Sequence, residues 1–587
     1  MKFTALTQPI LWVLLIAGLI HPPSAQAAFP EAENSEHGMV ASRSKWASAV
    51  GADILAQGGN AVDAAVAVGF ALAVTYPSAG NIGGGGFMVI RLQDGTLITN
   101  DHREKAPLLA SKDMYLDEDG EVIPDLSTHS HLAVGVPGTV DGLLDVLERF
   151  GTMSRAEVIQ PAIELAAKGI ILDRDLARSF ARRKDQFARY PASLWTFTDE
   201  GEVYEIGDRW QQPDLAATLE RIRDHGRAGF YAGRTADLLV AEMEAHGGLI
   251  SHADLEAYES VWREPVRGTY KGFDIVSMPP PSSGGVLLIQ MLNMLEDYDL
   301  GQAGYGSAAA IHHMIEAERR AYADRAEHLG DPDFFPVPIE TMISKAYAKQ
   351  RYADFDPQKA SRSEAINPGN IPYESPETTH ASVMDAAGNA VSYTTTLNLS
   401  YGAKMVVTGA GFLLNNEMDD FSVRENTPNA YGLIGRVANS IEPGKRMLSS
   451  MTPTIVMKDG EPLLVTGSPG GSTIITTTMQ VILNVIEHKM TLEQAVGSPR
   501  FHHQWLPDRV IYERFAFAPD TLSKLIDMGH QDLIELPAAW GRGIGDANSV
   551  MRTEEGIAGA ADPRNAGAAV GVKVAPPEGP AASTGRE

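Results

Sequence analysis

Residues 376–383 read Pro376-Glu377-Thr378-Thr379-His380-Ala381-Ser382-Val383. A polar, proline-containing segment gives way to two threonines and a histidine just as strand periodicity begins. Two readings are open. In one, a loop simply enters a β-strand, where threonine is common. In the other, the chain is cut before Thr378, which becomes a new N-terminus and a nucleophile.

Upstream, Asp356 to Glu377 carries four prolines and scattered charges without an apolar period, and reads as an extended surface strap. Before the strap the pattern is largely helical. Ala61 to Val74 is apolar almost all round, as in a buried helix. Ser154 and Glu157 have capping-box spacing ahead of a helix running towards Gly169, and Ala308 to Leu329 is another helix. After the strap, strand signals take over. Ala381–Asp385 and Ala390–Thr396 flank the turn signal Ala386-Ala387-Gly388-Asn389. Ile455–Lys458 and Pro462–Thr466 flank Asp459-Gly460 in the same way, and helices return over Thr473–Glu487 and from Thr491. Helices outside and antiparallel strands inside predict a layered α/β (α+β) sandwich.

The ends and the composition bound the function. Lys2, the apolar run Ile10–Ile20 and the small-residue site Ala25-Gln26-Ala27 read as a secretory signal peptide over residues 1–27. Eleven apolar residues are too few to span a bilayer, so the expected product is exported, periplasmic or secreted, without a membrane anchor. The tail 575–587 is rich in Pro, Gly, Ala and Ser and is expected to be disordered. A formal charge of −27 argues against nucleic-acid or anionic-membrane partners. The chain has no cysteine, which excludes disulfides, thiolate catalysis and thiolate zinc sites.

Several motifs invite other chemistry. Gly80-Asn81-Ile82-Gly83-Gly84-Gly85-Gly86-Phe87 is glycine-rich, but it follows a helix and precedes the strand Met88–Leu92. Phosphate loops need the reverse order and a lysine, so these glycines are expected to serve close backbone packing beside a site. His312-His313 with Glu316, and His502-His503, lack metal-site spacing, and a structural role is expected for both pairs. Asn398-Leu399-Ser400 matches a glycosylation sequon. In Thr466-Gly467-Ser468-Pro469-Gly470-Gly471-Ser472 a nucleophile elbow fails because Thr466 stands where glycine is required. A tight turn with exposed backbone N–H groups, able to form an oxyanion hole, competes there with an ordinary turn.

Taken together these segments resemble the γ-glutamyltranspeptidase (glutathione hydrolase) family. The matching motifs are GNIGGGGF, DHREKAP at 101–107, TTH at 378–380, TLN at 396–398 and NNEMDDFS at 415–422. KRMLSSMTPT at 445–454, GSPGGS at 467–472 and FHHQW follow in the same order. The resemblance covers about residues 38 to 564. It implies an N-terminal-nucleophile hydrolase, a four-layer αββα sandwich made as one proenzyme chain. It also implies self-cleavage at Glu377–Thr378, giving a large subunit 28–377 and a small subunit 378–574. Physical chemistry agrees with the cut. A threonine hydroxyl is a poor nucleophile without a base. A freed α-amino group, with a pKa of roughly 7.7–8.0 in model peptides, supplies one that an amide nitrogen cannot.

By matching position, the resemblance implies that Thr378 attacks the γ-carbonyl and Thr396 orients its hydroxyl. Gly470 and Gly471 N–H groups would stabilise the oxyanion. Arg103, Ser449 and Ser450 would bind the substrate α-carboxylate, and Asn398, Glu417 and Asp420 its α-ammonium. Tyr431 falls in a segment matching the lid loop of some members. The implied donors are glutathione and other γ-glutamyl compounds, with water, amino acids or dipeptides as acceptors, and neither cofactor nor metal. The alternatives are a glutaryl-type cephalosporin acylase of the same fold, a poly-γ-glutamate depolymerase, or an exported γ-glutamyl-peptide binding protein that never matures.

Overall fold

The computed structural model describes residues 29–366, 378–424, 437–537 and 543–573. The signal-peptide segment 1–27, the end of the strap with Glu377, Tyr431 and the tail 575–587 lie outside the described residues.

Two seven-stranded antiparallel sheets form the centre. The first runs, in spatial order, Ala568–Gly571, Gly38–Ser42, Thr379–Asp385, Ala390–Thr396, Gly85–Arg91, Leu97–His102 and Val261–Arg263. The second runs Glu33–Ser35, Gly556–Ala560, Ser549–Thr553, Glu461–Thr466, Thr454–Lys458, Phe273–Ser277 and Val266–Tyr270. Met39, Phe87, Val89 and Met384 of the first sheet meet Val276, Ile455, Val465 and Val550 of the second in an apolar core. On the outer face of the first sheet, Ala381, Val383 and Val391 pack with the helices Lys45–Ala56 and Ala61–Thr75. On the outer face of the second, Ile275, Val456 and Leu464 pack with Gly284–Leu295, Ala308–His328 and Thr473–Ile486. The layers are therefore αββα, the arrangement the family resemblance implies.

The expected helices and hairpins form close to their expected bounds. Ser154 caps Arg155–Lys168 with Glu157 completing the box, and Gly169 ends it. The segment before the strap is largely helical, as expected, yet it also supplies seven of the fourteen strands in the two sheets, among them Gly38–Ser42 and Gly85–Arg91. The side chains of Gly38–Ser42 and Gly85–Arg91 are buried on both faces, so these two strands lack the polar–apolar alternation that marks a half-exposed strand.

The hairpin that carries the candidate nucleophile is set by its turn. Asp385 Oδ1 accepts the Asn389 N–H at 2.9 Å, and Asp385 Oδ2 accepts from Asn389 Nδ2 at 2.7 Å. Gly388 has φ 85°, a conformation that suits glycine. Asp385 Oδ2 also accepts the Ala61 N–H, the first residue of the buried helix, at 3.0 Å. One aspartate thus fixes both the register of the hairpin and its docking on the helix layer.

Candidate active site

Thr379 pairs with Thr395 in that hairpin, so extending the register by one residue sets Thr378 opposite Thr396. Side chains alternate along a strand, and His380 and Ser382 identify the face on which Thr378 lies. Ser382 Oγ donates to the carbonyls of Val465 and Asn548, in the second sheet. The His380 ring packs against Gly467, where an added Cβ would stand 2.5 Å from its Cε1. Thr378, His380 and Ser382 therefore form one polar file between the sheets, ending beside the GSPGGS turn. Burial drives the His380 imidazole down to about 3, so it stays neutral, bonded to Thr394 Oγ1 and Ser382 Oγ. Thr378 itself is buried, 6% exposed.

The GSPGGS turn is tight and depends on its glycines. Gly470 and Gly471 both have positive φ, 139° and 58°. Their carbonyls accept from the N–H groups of Thr473 and Ile474 as the next helix begins. A Cβ at Gly470 would meet Thr473 Oγ1 at 2.3 Å. Ser468 is not placed as a nucleophile: its Oγ donates to the Pro469 carbonyl and accepts the Asp546 N–H.

From Thr396 a chain of contacts leads to the charged residues. Thr396 Oγ1 accepts the Asn398 N–H at 2.8 Å. Asn398, buried at φ 72°, donates through Nδ2 to the Asn416 carbonyl at 2.8 Å, which puts it next to Glu417. The sequon asparagine thus faces inward and is closed to a glycan. Glu417 and Asp420 lie on the short 3-10 helix Glu417–Asp420, and both bond the Arg103 guanidinium. Arg103 Nη2 reaches Asp420 Oδ2 at 2.5 Å, and its Nε reaches the Met447 carbonyl at 3.3 Å. That contact brings in the Ser449–Ser450 loop, where Ser449 Oγ accepts the Met451 N–H and Ser450 Oγ accepts from Arg325. The structure therefore brings together Arg103, Asn398, Glu417, Asp420 and both serines, beside the strand end that holds Thr396.

The electrostatics of this cluster are lopsided. Burial opposes the Arg103 charge, but Glu417, Asp420 and Glu104 outweigh it and hold the guanidinium firmly protonated. Burial raises the Glu417 and Asp420 carboxyls above their ordinary values, and pushes Glu104 up to about 7. Glu104 Oε2 lies 3.5 Å from Arg103 Nη1. Neither Glu104 oxygen, nor Glu417 Oε2, nor Asp420 Oδ1 has a hydrogen-bond partner. Three carboxyls around one cation leave spare anionic capacity, which suits a ligand carrying a cation of its own.

Two residues of this neighbourhood escaped the sequence reading. Glu104 was visible only as part of DHREKAP. Asn81 sits inside the glycine run, whose Gly84 lies so close to the hairpin that a Cβ would stand 2.1 Å from the Thr396 carbonyl. Asn81 Nδ2 donates to Thr396 O at 2.7 Å and reaches Thr395 Oγ1 at 3.0 Å, while its Oδ1 accepts from Gly84 N and Thr139 Oγ1. Asn81→Ala is expected to orphan these buried groups at about 1–3 kcal/mol each and to loosen the strand end. Thermal unfolding and the time course of chain cleavage read the effect; unchanged cleavage would make Asn81 a packing residue only.

The histidine pairs have structural roles. His312 bonds His530 and the Asp356 carbonyl, while Glu316 is saturated by Arg319, Arg320 and the Ser361 N–H. His502 bonds Thr476 and Gln504, and His503 bonds Asp508.

Two stacked antiparallel sheets between helix layers, with a threonine heading a central strand, define the N-terminal-nucleophile hydrolase class. The chain belongs to the γ-glutamyltranspeptidase family, whose model matches residues 47–572. It is 47% identical over 553 residues to a glutathione hydrolase proenzyme of Escherichia coli, covering 93% of this chain and 94% of that one. Among solved structures, a cephalosporin acylase from Bacillus halodurans superposes with a TM-score of 0.82 at 25% identity, covering 94% of this chain and 99% of that one. A γ-glutamyltranspeptidase of Helicobacter pylori matches at 46% identity and TM-score 0.57, covering 57% of this chain and 97% of that one.

Proposed function

We propose that this chain is a self-processing γ-glutamyltransferase and glutathione hydrolase. It is made as a proenzyme and cuts itself at Glu377–Thr378 into subunits 28–377 and 378–574 that stay together. The freed Thr378 α-amine takes the proton of its own hydroxyl, and Oγ attacks the γ-carbonyl of the donor. Gly470 and Gly471 N–H groups hold the resulting oxyanion. As it collapses, the amine leaving group takes the proton and departs, leaving a γ-glutamyl ester on Thr378. Water, or the amine of an amino acid or peptide acceptor, then attacks the ester and regenerates the hydroxyl. Thr396 orients that hydroxyl from the paired strand. The N-terminal segment would direct the protein for export to the periplasm or medium. Among the described residues no helix is long and apolar enough to cross a membrane.

The observation that carries the donor assignment is the Arg103–Glu417–Asp420 cluster. An α-amino acid end is a zwitterion. Its carboxylate can take the Arg103 fork, with Ser449 and Ser450, while its ammonium takes the carboxylates that Arg103 gives up, with Asn398. A glutaryl donor offers no ammonium and would leave buried acids facing no cation. The test is the hydrolysis of a γ-glutamyl anilide against a glutaryl anilide. A preference of at least about 100-fold for the glutamyl donor is expected, since sites built for a polar group reject analogues lacking it. Equal rates would assign the acylase reading, which the likeness to the acylase structure keeps in view. A single chain on a denaturing gel, with no turnover, would indicate a binding protein.

A further inference from the structure

Away from this site, His131, Glu242 and His246 converge at the protein surface. Glu242 and His246 are one turn apart on the helix Gly233–His246, so they share a face. His131 opens the short 3-10 helix His131–Ala133 and reaches the same point from the other side. His131 Nε2 lies 3.2 Å from Glu242 Oε1, and His246 Nε2 lies 3.5 Å from that same oxygen. The two imidazoles stack with centroids 4.6 Å apart and planes 20° apart. All three donor atoms fall within 4.8 Å of one another.

We propose that His131, Glu242 and His246 form a binding site for a divalent first-row transition metal ion of the zinc type, with water completing the coordination. The spacing supports this. Around a tetrahedral ion with bonds of about 2.0–2.1 Å, neighbouring donors stand about 3.3–3.4 Å apart. The separations from Glu242 Oε1 to the two imidazole nitrogens, 3.2 Å and 3.5 Å, bracket that edge. Two imidazoles and one carboxylate are also a donor set that zinc takes, leaving an open position.

The surroundings hold the ligands in place. His131 and Glu242 side chains are 6% and 11% exposed, whereas His246 is 52% exposed and leaves an entry path. Tyr190 packs edge-on against His131. Thr408 Oγ1 donates to Glu242 Oε2 at 3.3 Å, so an outer partner orients the carboxylate, while Oε1 bonds His131 Nε2 at 3.2 Å, a contact the ion would replace. The buried group His312, Glu316 and His530 has a similar donor spacing, but two arginines hold its carboxylate, whereas Glu242 Oε1 meets the imidazoles of its own trio. There both Glu316 oxygens and both His312 nitrogens are already engaged within the protein.

The site also has a mechanical consequence. The loop around His131 supports the acid segment: Ser127 Oγ donates to Asp419, the Thr128 carbonyl accepts from Asn416, and the Gly135 N–H donates to Asn415. A bound ion would tie the helix Gly233–His246 to that loop.

The test uses tag-free, full-length processed protein stripped with a chelator and titrated with zinc chloride by calorimetry, and with cobalt chloride by visible absorption. One zinc equivalent is expected to bind, weakened more than about 100-fold in His246→Ala and Glu242→Gln, beyond the loss usual for an outer-shell partner. Four-coordinate cobalt is expected to give an intense visible band that both variants lose. His246 is exposed, and its alanine variant should melt like the parent without metal, which separates lost binding from lost folding. Zinc binding unchanged in His246→Ala, or only the weak absorption of six-coordinate cobalt, would overturn the site.

Discussion

Thr378→Ala is expected to run as one chain on a denaturing gel where the parent runs as two, and to show no turnover of a γ-glutamyl anilide. Both losses have one origin. In the proposed mechanism the hydroxyl that attacks the donor also attacks the Glu377–Thr378 bond, and the variant lacks it. The uncut variant has a second defect, because its residue-378 nitrogen remains an amide and cannot act as a base. The loss of turnover should reach about 10⁴–10⁶-fold, as when other hydrolases lose a nucleophile. Misfolding is not the cause to expect. The strand pairing from Thr379 to Met384 does not use the threonine side chain, and Thr→Ala removes few atoms. Thr378→Ser keeps a hydroxyl and should mature, more slowly because serine holds its rotamer less firmly than a β-branched residue. N-terminal sequencing of the parent's shorter chain should read Thr-Thr-His-Ala-Ser. A normally processed alanine variant, or another N-terminus, would remove Thr378 from its role.

How far the sequence reaches depends on whether a signal is local. The Ala390–Thr396 hairpin was legible because its turn residues Gly388 and Asn389 are neighbours of the strands they join. The helix after Ser154 was legible for the same reason, its cap and Glu157 lying within one turn. Gly38–Ser42 was not, since five buried residues show no alternation. At the site, residue types and order were enough to nominate Arg103, Glu417 and Asp420. Their direct pairing was not legible, because it joins residues 314 and 317 positions apart. Asn81 was passed over because a polar residue in a glycine run looks like turn chemistry until its partner, the Thr396 carbonyl, is seen. His530 likewise reaches His312 across 218 positions, and no spacing rule could have joined them.

Arg103→Lys should reduce kcat/KM for γ-glutamyl donors by about 100-fold or more, mostly through KM. In the parent, separate guanidinium nitrogens bond Glu417, Asp420 and the Met447 carbonyl. A lysine ammonium cannot span these partners or grip a carboxylate with two parallel bonds. Breaking buried ionic partnerships costs about 3–5 kcal/mol, against about 1.4 kcal/mol per tenfold, so a hundredfold loss is the modest end. The same cluster predicts a pH signature. Burial pushes the Glu104 carboxyl up to about 7, so near neutrality it still holds a proton for part of the time. Raising the pH through 7 ionises it and adds negative charge beside the place proposed for the donor ammonium. Recognition of the ammonium should therefore strengthen over that interval. The Thr378 amine titrates nearby, but it serves every donor alike. Dividing kcat/KM for the γ-glutamyl anilide by kcat/KM for the glutaryl anilide cancels it. That ratio should rise with pH through about 7 in the parent and stay flat in Glu104→Gln. A flat ratio in the parent would show that Glu104 does not sense the donor's ammonium. Unchanged kinetics in Arg103→Lys would take Arg103 out of the donor site.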